Sequence, residues 1–120
     1  MYLIPLSPIP NQNLMVSFED QDISIHLYQR GKFLYMDIGY GDENLRNGAI
    51  CLPGLEIGGE MYPFSGALIF VDEYSDPQKQ CPPNYRELGT RFNLYYCSME
   101  EMLETLHEYM DIINGNINGN

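Results

Sequence analysis

Apolar and polar residues alternate along short runs of this chain, and glycine or proline cuts each run, which confines most of the sequence to β-structure. Ile23, Ile25 and Leu27 fall on one face of such a run, and Ser24, His26 and Tyr28 fall on the other. Leu34, Met36 and Ile38 repeat the pattern within residues 33–40. Between the two runs, Arg30-Gly31-Lys32 predicts a tight turn in which Gly31 supplies a positive φ without steric cost. Upstream, residues 14–19 read as a further strand, followed by a polar turn at Glu19-Asp20-Gln21-Asp22. Three such strands joined by tight turns make an antiparallel meander.

The pattern continues more weakly downstream. Residues 41–44 read as a loop, and residues 49–52 as a short strand stopped by Pro53-Gly54. Gly58-Gly59 marks a turn, and residues 67–71 form a compact apolar strand. Residues 72–88 carry Pro77, Pro82 and Pro83 and read as a long irregular segment. Residues 91–96 are the last strand, with Phe92, Leu94 and Tyr96 on one face. The expected fold is mainly β, a small antiparallel β-barrel or sandwich with one C-terminal α-helix. Its expected core is Ile23, Ile25, Leu27, Leu34, Met36, Ile38, Leu68, Phe70, Phe92 and Leu94, with Cys51 and Cys97 as small buried hydrophobes.

The period changes after the last strand. Ser98 followed by Glu101 is a capping box, in which each side chain satisfies a free backbone N–H of the other residue. Met99, Met102, Leu103, Leu106, Met110 and Ile113 recur at helical spacing, which predicts a helix over 98–113 with its cap. Residues 114–120 are a Gly/Asn tail with little to bury, and disorder is expected there. At the other end, Pro5, Pro8 and Pro10 make residues 1–13 an extended arm with a short strand at its front. The β body is expected over 14–97. The arm's apolar residues Leu3, Ile4, Leu6 and Ile9 read as unable to form a buried element of their own.

At 120 residues the chain can bury one hydrophobic core. Its net charge of −11 repels phosphate, which argues against specific nucleic-acid binding and against docking on anionic membranes. Met1 to Pro5 has no charged stretch and no long apolar run, so no signal peptide is expected. No segment approaches the length of a transmembrane helix. Cys51, Cys81 and Cys97 are odd in number and widely spaced, which fits assembly in a reducing cytosol.

Catalytic and ligand signals are weak. His26 and His107 lie on different elements, and no CxxC pair suggests zinc. Gly39-Tyr40-Gly41 lacks the third glycine and the helix of a phosphate loop. Asp37, Asp42 and Glu43 lack the spacing of an EF-hand. Asp72, Glu73 and Asp76 cluster beside the irregular segment, where solvated carboxylates are expected. No cofactor and no metal is expected. The methionines at helical spacing read as core filler or as an adaptable partner-binding stripe.

Three ordered stretches resemble the phage baseplate plug family. They are Ile4 to Gln12; Phe33 to Ile38 with Asn47 to Gly54; and Gly66 to Asp72 with Leu88 to Tyr96. Many members of that family have tryptophan where Tyr35 stands, and the helix after Tyr96 resembles an extension. The resemblance implies a structural virion protein of a contractile tail, near hub and spike at the tip of the tail tube, with no catalytic residues to carry over. It implies several copies assembled in the host cytoplasm, with hub, spike and tail tube proteins as partners. Leu3, Ile4, Leu6, Ile9, Asn11 and Gln12 are the expected assembly interface, docking as an added strand does. Two rival readings remain. One is a small non-catalytic binding module in a cytosolic complex that holds a partner through the methionine stripe. The other is a hydrolase using Asp72, Asp76 or Glu87.

Overall fold

Alternation with a single buried face demands a second layer to cover that face, and the chain supplies one. In a computed structural model, which describes residues 1–74, 78 and 80–104, two antiparallel sheets pack over one core. The strands are β1 (Tyr2–Ile4), β2 (Asn11–Phe18), β3 (Gln21–Arg30), β4 (Phe33–Tyr40), β5 (Glu43–Ile50), β6 (Ala67–Asp72) and β7 (Phe92–Cys97). One sheet has the order β2-β3-β4-β5, and the other β1-β7-β6. The fold is a sandwich; of the two architectures expected, the closed barrel is not formed. Every one of the ten expected core residues is buried, as are Cys51 and Cys97. The layers meet most closely where Phe18 stacks on Tyr96, ring centroids 4.1 Å apart and planes within 7°.

Three two-residue turns build the four-stranded meander. Gly31 and Gly41 take positive φ in the second and third turns, as tight hairpins require. The first turn uses Glu19 and Asp20, both at positive φ, where an L side chain crowds its own backbone. The strands here run further than expected. β2 starts at Asn11, and β5 starts at Glu43, where a loop was read. β5 hid because it has no fully buried face: only Leu45 and Ala49 are half-buried, and the rest is exposed.

The front of the opening arm lies along its own domain. Tyr2, Leu3 and Ile4 pair with Tyr96, Tyr95 and Leu94 of β7, and Ile4 is only 1% exposed. The expectation that these residues could not form a buried element is corrected for Ile4. β7 offers an edge, and pairing with it satisfies the backbone of β1 while the Ile4 side chain enters the core. Residues 99–104 are helical, and the capping box is formed: Ser98 N–H donates to Glu101 Oε1 at 3.2 Å, and Glu101 N–H donates to Ser98 Oγ at 3.1 Å. The remaining helix (through 113), the tail over 114–120, His107 and Asp76 lie outside the described residues.

Candidate assembly surface

Side chains that could do chemistry are engaged with one another. Arg91, buried at the start of β7, donates from Nε and Nη2 to the two oxygens of Asp72, each at 2.9 Å. Glu87 Oε2 lies 3.9 Å from the same guanidinium, and Tyr74 lies beneath it at 4.8 Å. This guanidinium holds the Asp72 carboxyl below its ordinary value, overriding the opposing effect of burial. The solvated carboxylate expected at Asp72 is therefore an ion-paired one. Its two oxygens are committed to Arg91, with Oδ1 also accepting from Tyr74 N–H at 3.0 Å.

On the outer face of the four-stranded sheet, β3 and β4 bring His26 beside Asp37. His26 Nδ1 lies 3.2 Å from Asp37 Oδ2, and its Nε2 lies 2.9 Å from Asn11 Oδ1. Asp37 Oδ1 also accepts from Tyr28 O–H at 3.1 Å and from Gly48 N–H at 2.7 Å. Burial raises the Asp37 carboxyl's affinity for a proton, but the Gly48, His26 and Tyr28 contacts outweigh it and hold the pKa low. These bonds fix β2, β3, β4 and the β5 bulge in register. A shallow depression of about 390 Å³ borders them and is open to solvent. Gly39 and Tyr40 belong to β4, and the turn at Gly41 leads into a strand, so no phosphate loop forms. Among the described residues no group of three His, Cys, Asp or Glu side chains could hold a metal ion. All three cysteines are free, and burial pushes the Cys51 thiol up to about 12, which keeps it unreactive.

The expected interface residues divide between the inside and the outside of the fold. Ile4 and Gln12 are buried, and Leu6 is half-buried against the core. Gln12 donates from Nε2 to Ser7 C=O at 2.7 Å and accepts from Ser7 N–H at 3.1 Å, which ties residues 7–12 into a compact bend. Leu3, Ile9 and Asn11 remain exposed. Tyr2 touches Phe18 edge-on at 5.2 Å, so β1 lies beside the end of β2 and the two form one flank of the sandwich. Tyr2, Leu3, Ile9 and Met15 are all exposed, Met15 to 75%; Leu3, opposite Tyr95, points out of the three-stranded sheet, and Met15, opposite Ser24, points out of the four-stranded one. Sequence reasoning missed Tyr2 and Met15. One signal was available: none of the first 18 residues is charged, in a chain of net charge −11.

A second apolar region lies where residues 56–66 meet the first helical turn. Met61, Tyr62, Phe64, Met99 and Met102 line a cleft of about 520 Å³ there. Of the described part of the methionine stripe, Met99 and Leu103 are exposed and Met102 is half-buried.

Among the described residues, Asp72, Glu87 and Arg91 are engaged with one another, as are His26 and Asp37, while Tyr2, Leu3, Ile9 and Met15 stand exposed. No curated protein matches the chain. The family described as cyanophage baseplate Pam3 plug gp18 matches residues 1–100, a span that takes in all seven described strands and ends at the first helical turn. The chain belongs to this cyanophage baseplate plug family, and with it to the structural components of the phage tail baseplate.

Proposed function

We propose that the chain ties hub and spike proteins to the tail tube at the tube tip, in several copies around the tube axis. The family match over residues 1–100 carries this reading. The geometry supports it through the N-terminal segment, where Leu3, Ile9 and Asn11 are exposed, as are Tyr2 and Met15. The role is mechanical and not catalytic. Asp72 and Glu87, the described carboxylates of the hydrolase reading, both face Arg91. The subunits assemble in the host cytoplasm before the tail is complete. Leu3→Glu with Ile9→Glu tests the docking surface without touching Ile4. The doubly substituted chain should fold with unchanged circular dichroism and be missing from purified tails. Normal incorporation would remove the flank from the assembly reading. A map of the parent tail that places the chain away from hub and tube would remove the linking role.

A further inference from the structure

Each sheet of an open sandwich has two edges, and an exposed edge invites pairing unless something guards it. Three of the four edges here are guarded. β1 is only three residues long. The edge of β6 is covered by the chain after β5, where Gly54 N–H donates to Phe70 C=O and Ile57 N–H donates to Leu68 C=O, both at 2.8 Å. β5 carries Glu43 and Arg46 and shifts register against β4. β2 is different. Its eight residues, Asn11 to Phe18, contain no charge, no proline and no bulge, and among the described residues no strand pairs with its outer side.

The backbone groups on that side can be identified. Gln29 N–H donates to Pro10 C=O at 2.9 Å, which fixes the phase of the β2–β3 ladder. In an antiparallel ladder the residues alternate, so Gln12, Leu14, Val16 and Phe18 point their N–H and C=O groups at β3. Asn11, Asn13, Met15 and Ser17 point theirs outward. A strand arriving there would lay alternate side chains beside half-buried Leu14 and Val16, and the others beside Asn13 and Met15. At the turn, the same edge runs into exposed Glu19, Asp20 and Asp22.

We infer that β2 accepts an extended segment of a different baseplate or tail protein as a fifth strand. That segment alternates apolar and polar residues and carries a basic residue at the end that meets Glu19 and Asp22. Charge selects this occupant over a second copy of the chain, because two bodies of −11 repel while a basic segment is attracted. The inference rests on the baseplate role and adds the accepting strand and the chemistry of the donor.

Hydrogen exchange tests it at the amides of Asn13, Met15 and Ser17, read in the isolated chain and in purified tails. These amides should exchange rapidly in the isolated chain and at least about tenfold more slowly in tails, as new backbone bonds require. Met15→Pro removes one outward N–H and no β3 bond, so the variant should fold and fail to enter tails, whereas Met15→Thr should enter normally. Equal exchange in tails and in isolation, with the chain present in the tails, would overturn the inference and leave the baseplate role standing. A dimer of the isolated chain with slow amides at these positions would overturn it in favour of a second copy. A chain missing from tails altogether would remove both.

Discussion

The N-terminal flank and the Arg91 corner both fasten a peripheral segment to the same sandwich, and they do it by opposite means. At the corner, a guanidinium gathers Asp72, Glu87 and the Tyr74 ring around itself. Every strong group there already has a partner inside the molecule. On the flank no side chain of the first 18 residues is charged, and the Met1 ammonium is paired with Glu101. β1 is held by backbone pairing and by Ile4, and the bend before β2 is held by the Gln12 amide. Among the described residues, backbone groups along β2 and apolar side chains on Tyr2, Leu3, Ile9 and Met15 are left over. Attraction between opposite charges saturates locally, whereas a strand edge keeps one open side however well its other side is paired. The less charged region is therefore the one with binding capacity to spare.

The largest effects should come from the layer that both regions rest on. Leu34 and Leu94 are fully buried, one in each sheet. Truncating either to alanine should cost roughly 2–5 kcal/mol and lower the melting temperature by several degrees or more. Unchanged melting for both would break the sandwich assignment.

Next comes acid. Asp72 and Asp37 both have folded pKa values below the ordinary 3.8. Their stabilising contribution is complete above that value and is lost as pH falls through the lower folded value. Stability should thus drop below about pH 4. Asp72→Asn should flatten part of that drop, and Leu3→Gln should not, because it leaves Asp72, Asp37 and their partners unchanged. Denaturant melts at pH 3 and pH 7 make the comparison. An acid limb that Asp72→Asn leaves unchanged would deny the corner its electrostatic character.

A smaller gain is expected at the first hairpin. Replacing Glu19-Asp20 with Asn-Gly suits the positive φ of both positions and should add about 1 kcal/mol. No gain would show that the native turn is already relaxed. The smallest effect on folding belongs to Met15. Met15→Lys on the isolated chain should change stability by less than about 0.5 kcal/mol. The same substitution should nonetheless remove the chain from tails, since an edge lysine opposes strand addition. A large stability loss would mean that Met15 serves the fold and not the interface.

How legible these regions were follows from what local sequence can encode. Ile23, Ile25, Leu27, Leu34, Met36 and Ile38 announce themselves because each strand buries one face, and period two is visible within six residues. Ser98 and Glu101 were legible because a capping box is local. β1 is too short to show a period, and the burial of Ile4 depends on β7, where its partner Leu94 is 90 positions away. β5 follows no apolar alternation because its backbone, and not its side chains, holds it to β4. The contact between His26 and Asp37 depends on register between strands, as does the pairing of Asp72 with Arg91. The open edge of β2 is a property of strand order, which no window of sequence contains. Which side chains of the stretch from Leu3 to Gln12 face outward depends on that strand order too, and so the burial of Ile4 and Gln12 was not legible in it.

Gln21 gives the sandwich a direction of strength. Its amide grips Ser65 from both sides, accepting from Ser65 N–H at 2.8 Å and donating to Ser65 C=O at 3.1 Å, and it reaches the Tyr96 hydroxyl at 3.4 Å. The tip of the β2–β3 hairpin is thereby bolted to the opposite layer. A pull along β2 loads its eight pairs with β3 in shear, and Gln21 passes part of that load to Ser65 at the entry to β6. Turn, meander and opposite layer are thereby held as one piece, so a displacement at the hairpin tip is felt in both sheets.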